Sequence, residues 1–334
     1  MKKISCIIRM IGAATVSAGL LLGGPVLAQE DYPAEPVNLT APYGPGGASD
    51  LASRTLASTA PAYLGEPVLV TNRSGAGGVT GSTYVLNSEP DGYNLLLARI
   101  GSHSVSTAMK SNMPYSWDDF TYLGLLEVNP VICATSTEKP YKSLDDLIAA
   151  IRENPGTLTY SSAGVGTLLQ VAAVLVLDTV GIEDPVNAAI HIPFRGGGKA
   201  ASAAATGQVD FVCTNSSALI SGIEGGKLRP LLVTTPQRLD AVPDAPTVAE
   251  LGYPELEVLV GWSGLVGPPG LPDEVVETWA DVLQKIKEDK SWNRMTTQLG
   301  SKPRILSPEE TVEFVENQYK TFSELVKRLN MRIE

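Results

Sequence analysis

Residues 41–54 read APYGPGGASDLASR and directly follow the apolar run PVNLT at 36–40. Two prolines and three glycines therefore stand between a short strand and the start of a helix. Such a loop costs conformational entropy and adds nothing to a core, so its composition points to something that approaches the backbone closely. Gly44, Gly46 and Gly47 leave N–H groups uncovered, Tyr43 flanks them, and Ser49 or Asp50 opens the helix. A helix N-terminus with free N–H groups attracts an anion. A tight strand-to-helix turn with an ordinary cap accounts for the same residues without a ligand.

Outward from this loop, short apolar runs alternate with helix-period stretches, the pattern of a parallel α/β protein. The strand candidates are 36–41, 67–72, 93–99, 158–163, 190–194, 209–214 and 228–235. Helices are expected over Asp50–Tyr63, over Leu144–Glu153 behind Ser143 and Asp146, and at the C-terminus behind Ser307, Pro308 and Glu310. Both later starts have capping-box spacing. Two long β-rich stretches, 120–135 and 255–270, are candidates for strands that cross between domains. That predicts a discontinuous first domain, 29–129 plus 255–334, a second domain, 130–254, and a cleft between them.

Two further strand ends carry chemistry. Arg99 follows LLLA where a buried strand emerges, and it needs a carboxylate from the protein or from a ligand, because a desolvated unpaired guanidinium is costly. YSSAGVGTLL (160–169) leads through Gly164 and Gly166 into a helix, with Ser162 and Thr167 as hydroxyl donors. PFRGGGKAASAAATG (193–207) likewise puts Arg195 before three glycines and a small-residue helix.

The N-terminus reads as a cleaved secretory signal over residues 1–28: Lys2, Lys3 and Arg9 precede an apolar stretch from Met10 to Leu22, and VLA ends the leader at Ala28. Formal charge is −11, and removing those three cations makes it −14, which argues against a nucleic-acid-binding face. Cys133 and Cys213 remain; they pair in an oxidising compartment or stay as buried thiols, and the spacing leaves both open. Neither a metal nor a cofactor is implied. GAGGVTG, FRGGGKA and GWSGL each miss the spacing of the nucleotide or nucleophile motif they approach. Without a nucleophile placed beside His103 or His191, the chain reads as a binder and not as an enzyme.

Taken together, these segments resemble the solute receptors of the tripartite tricarboxylate transporter family, also called Bug proteins. The markers are APYGPGGASDLASR, VTNRSGAGGVTGSTYVLNSEPDGYNLLLA, YKSLDDLIA, FRGGGKAASAAATGQVDFV, LRPLLVTTPQRLDAVPDAPTVAELGYP and WSGLVGPPGLP, spread from about Tyr32 to the C-terminus. The resemblance implies an α/β, two-domain periplasmic-binding-protein fold of the type II, Venus-flytrap kind. It also implies a periplasmic receptor that closes on a small carboxylate and hands it to a membrane permease of large and small subunits; monomer is the default, because no long amphipathic surface is left over once two domains are built. A sensor that reports the same acid to a signalling partner is the alternative. By position, Tyr43 to Asp50 hold a carboxylate, Ser102 and the turn from Ser162 through Gly164 to Thr167 are further donors, and Asp210 either accepts from a ligand amine or orders a loop. Arg99 stands where a small hydroxyl residue is usual, Arg195 where Lys is usual, and Gln170 where His is common. If Arg99 and Arg195 both face the cleft, they clamp the two ends of one ligand. With ARIGSH and YSWDDFTYLGLLE, this is most similar to members that bind aromatic dicarboxylates such as terephthalate; aliphatic di- and tricarboxylates are the other substrate class.

Overall fold

A computed structural model describes residues 32–334; the signal-peptide expectation for 1–28 lies outside them. The chain runs β1 (Val37–Ala41), α1 (Ala48–Thr59), α2 (Pro61–Leu64), β2 (Val68–Asn72), α3 (Val79–Leu86), β3 (Asn94–Arg99), α4 (Ser106–Met109) and β4 (Thr121–Ser136). It continues through α5 (Leu144–Glu153), β5 (Thr159–Ser162), α6 (Leu168–Thr179), β6 (Ile190–Pro193), α7 (Gly197–Ala205), β7 (Phe211–Asn215), α8 (Ile220–Glu224) and β8 (Leu228–Val233). It ends with β9 (Val260–Gly267), α9 (Asp273–Lys287), α10 (Lys290–Gln298), β10 (Lys302–Leu306) and α11 (Pro308–Arg328).

All seven strand candidates form strands. The expected helix over 50–63 divides at Pro61, because proline lacks the N–H that would continue the ladder. Leu95, Leu96, Leu97 and Ala98 of β3 are all fully buried, as a strand covered on both faces requires. In α5, Ser143 accepts from Asp146 N–H while the Asp146 carboxylate accepts from Ser143 N–H; Ser307 and Glu310 do the same ahead of α11. The buried side of α11 is Thr311, Val315, Phe322 and Val326. Val312, which fits the apolar spacing, is exposed instead.

The strands form one connected sheet in the order β2-β1-β3-β9-β4-β7-β5-β6, with β8 and β10 also paired to β4. Parallel pairing holds within β1, β2 and β3 and within β5, β6 and β7. The long β4 is antiparallel to its partners and joins the halves. It pairs with β9 from Thr121 to Pro130 and with β7 from Val131 to Ala134. The stretch at 255–270 supplies β9 behind a 3-10 turn at Pro254–Val258, so only β4 spans both halves as a strand. Cys133 and Cys213 face each other across β4 and β7 and are joined as a disulfide. No helix among the described residues is long and apolar enough to cross a membrane.

Candidate functional site

Strands β1, β3, β5 and β7 all end towards the junction of the halves, and the loops behind them build the site. The loop after β1 lies against the start of α7, backbone to backbone. Gly44 N–H donates to the Arg195 carbonyl at 2.9 Å. A Cβ on Gly44 would stand 2.7 Å from that carbonyl oxygen, and one on Gly198 would stand 2.7 Å from the Gly46 carbonyl carbon. Neither residue has positive φ, so close approach, and not backbone conformation, requires glycine there. Gly46 does have positive φ, and its N–H donates to the Asp50 carboxylate at 3.0 Å. These contacts correct the expectation for the opening loop: Gly44 and Gly46 spend their N–H groups inside the protein. Asp50 also accepts from Arg54. Burial acts to raise its carboxyl pKa, but the bonds from Arg54 and Gly46 outweigh it and hold the group below the usual range.

A small cavity of about 30 Å³ lies beside this contact, space for water and not for a whole diacid. Three helices from both halves open onto it. The first helical bond of α1 runs from Leu51 to Gly47, that of α6 from Gln170 to Thr167, and that of α7 from Ala200 to Gly196. The preceding N–H groups of each have no partner within their helix, and Gly47, Thr167 and Gly196 provide no side-chain cap. Gly47, Ser49, Thr167 and Gly197 line the cavity. Ser49 Oγ and Thr214 Oγ1, both buried, also line it and have no hydrogen-bond partner. No Asp or Glu is among the lining residues. Such a cavity offers hydrogen-bond donors and positive helix ends to an anion.

Arg99 reaches the cavity wall, but its charge is balanced within the protein. Arg99, Ser263 and Glu127 sit side by side across β3, β9 and β4. Arg99 Nη1 donates to Ser263 Oγ and to Glu127 Oε1 (3.4 Å), Ser263 Oγ donates to Glu127 (2.8 Å), and Arg99 Nη2 donates to Asn215 Oδ1 (3.1 Å). Burial drives the pKa of Arg99 down and that of Glu127 up, while their mutual attraction opposes both shifts. The carboxylate that Arg99 needs is thus Glu127. The two-ended Arg99–Arg195 clamp does not form: the Arg195 side chain is exposed and lines an outer chamber, which shares only Tyr43 and Ala163 with this cavity.

Other expected donors are engaged elsewhere. Ser102 is fully buried in a π-helical turn, bonded to the Arg99 carbonyl and His103 Nδ1, and does not line the cavity. Ser162 Oγ is held by His191 Nε2 (2.6 Å) and by Gly164 N–H. Gly164 borders the outer chamber. Thr167 Oγ1 donates to the Gly164 carbonyl, so Thr167 meets the cavity without offering that proton. Asp210 accepts from Lys139 (2.7 Å) and from the Thr159 amide and hydroxyl; it ties β5 to the turn before β7 and orders a loop. Gln170 accepts from Gly166 N–H.

Ala48, Gly101, Leu169, Gly197, Thr214 and Asn215 are lining residues that sequence reasoning missed. Thr214 and Asn215 end the buried run FVC, the same strand-end signal that drew notice at Arg99. Among the described residues no His, Cys, Asp or Glu cluster is arranged to hold a metal.

Over residues 52–331 the chain matches the family model described as tripartite tricarboxylate transporter family receptor. Protein BugT of Bordetella pertussis is 29% identical over 331 residues, 98% of each chain. Among solved structures, R. palustris Rpa4515 with adipate is 26% identical with a TM-score of 0.84, covering 90% of this chain and 99% of that one. MatC from Rhodopseudomonas palustris with bound malate is 26% identical with a TM-score of 0.81, covering 88% and 100%. The chain belongs to this family of solute-binding receptors and has the mixed α/β, two-domain periplasmic-binding-protein fold.

Proposed function

We propose that the protein captures a small dicarboxylate by closing its lobes on it, and delivers it to a tripartite tricarboxylate permease of large and small membrane subunits. The observation that carries this reading is the acid-free cavity onto which α1, α6 and α7 open, with Ser49 and Thr214 hydroxyls unpartnered. One carboxylate fits that chemistry: it accepts from several N–H groups at once and is favoured by three positive helix ends. The lobes are 29–129 plus 255–334, and 130–254; the change of β4 partners between Pro130 and Val131 supports this division. The mature chain starts after Ala28 and acts in the periplasm as a monomer.

An aromatic diacid such as terephthalate is the substrate this reading names first, because Tyr43, Ala163 and Leu169 form a small apolar cluster against the cavity. An aliphatic diacid is the second reading, favoured by the adipate and malate of the two R. palustris neighbours. A thermal-shift panel on refolded mature protein tests both, with terephthalate, phthalate, adipate, malate, succinate, citrate and glutamate. A ligand at a hundred times its Kd stabilises by about 2.7 kcal/mol. A shift with any of these acids supports the receptor reading and names the class; no shift with any of them contradicts it.

A further inference from the structure

Tyr43 and Ala163 have a second chamber on their other side. Its volume is about 300 Å³, and its walls are the Gly75–Gly78 turn, Gly164 and Val165, Pro193 to Arg195, and Lys110. Lys110 comes from the segment after α4, in the half that carries α1, and Arg195 from the loop before α7 in the other half. No Asp or Glu lines the chamber, and among the described residues neither cation has a carboxylate partner. Lys110 is half-buried, and its Nζ donates to the Ala76 carbonyl (3.1 Å). Burial pulls its pKa down, and nothing nearby restores it. In a chain with 36 acidic and 25 basic side chains, two cations facing one chamber without an acid is a local reversal of the overall charge.

We propose that this outer chamber is a second anion subsite, in which Lys110 and Arg195 take the distal carboxylate of a diacid whose first carboxylate occupies the helix-lined cavity. The proposal rests on the receptor reading above and adds the residues that select a diacid. The order of surfaces matches such a ligand: helix N-termini, then apolar Tyr43, Ala163 and Leu169, then two cations. Because the cations come from opposite halves, the distal carboxylate also ties the halves together, so the second charge contributes to closure as well as to affinity.

The test is titration calorimetry on refolded mature protein with two matched pairs, adipate with hexanoate and terephthalate with benzoate. In at least one pair the diacid is expected to bind about tenfold or more tighter than its monoacid. In the Lys110→Gln/Arg195→Gln double variant that ratio falls towards one, and each single variant lies between. Equal affinities for diacid and monoacid in the wild type overturn the subsite and leave the receptor reading standing. So does a double variant that keeps the full diacid preference. Absence of binding by all four acids overturns the subsite, and the receptor reading then stands or falls on the other acids of the thermal-shift panel.

Discussion

Gly44 and Arg195 are joined by one hydrogen bond, amide to carbonyl at 2.9 Å, and it links the loop after β1 to the loop before α7. Around it Gly44, Gly46 and Gly47 meet Gly196, Gly197 and Gly198 with no side chain between them. The contact between the two loops depends on that absence. The glycine contact lies outside the hydrophobic clusters, so a methyl group there acts on the meeting of the two loops more than on folding. Gly198→Ala is therefore expected to weaken carboxylate binding by about tenfold or more while moving the ligand-free unfolding midpoint little. Calorimetric titration beside thermal melts checks this; unchanged affinity contradicts the role given to the contact.

Ser49 and Thr214 carry the opposite signature. Each hydroxyl is buried and unpartnered, which costs about 1–3 kcal/mol without a ligand. Ser49→Ala and Thr214→Val should leave the ligand-free protein as stable or more stable in urea. Each should also lower carboxylate affinity by about tenfold, the loss of one hydrogen bond to a charged group. Loss of stability without loss of affinity contradicts this assignment.

Arg99 and Glu127 are 3% exposed each, and removing one strands the other. Arg99→Ala or Glu127→Ala is expected to cost about 3–5 kcal/mol in urea unfolding. The double replacement by Met and Leu should recover much of that loss, because a buried pair exchanged for apolar groups of similar volume is near neutral. Equal losses in single and double variants contradict a balanced pair.

His103 sets a pH dependence. It is fully buried beside Tyr115, Phe120 and Trp262, Nε2 has no partner, and burial depresses its pKa from 6.5 to about 3. Between these values the unfolded chain holds a proton that the folded chain refuses, so stability falls as pH drops from 6.5 towards 3. The slope from this residue is at most about 1.4 kcal/mol per pH unit. Comparing unfolding free energies of wild type and His103→Phe at pH 7, 6, 5 and 4 isolates it, since the other titrating groups cancel. The variant should lose less stability on acidification; parallel curves contradict the prediction.

Much of the fold was legible because it rests on local pattern. The apolar runs at 36–41, 93–99 and 209–214 became strands, and the Ser143 and Ser307 boxes start helices where their spacing says. β10 escaped notice, since KPRIL has a proline and two cations in five residues. The site was legible as a set of strand ends but not as a set of donors. Sequence spacing marks Gly44 as a free N–H and cannot show that Arg195, 151 positions later, supplies its acceptor. For the same reason Arg99 suggested a ligand while its partner, Glu127, lay two strands away in the sheet. The disulfide needed the β4–β7 register, which is long-range information.

The most direct test of the central claim compares diacids with their uncharged diamides by titration calorimetry on refolded mature protein, using adipate with adipamide and terephthalate with terephthalamide. A protein that seats one carboxylate against three helix N-termini and two free hydroxyls should bind at least one diacid and reject its diamide by about a hundredfold or more. A diamide that binds as tightly as its diacid contradicts the carboxylate seat.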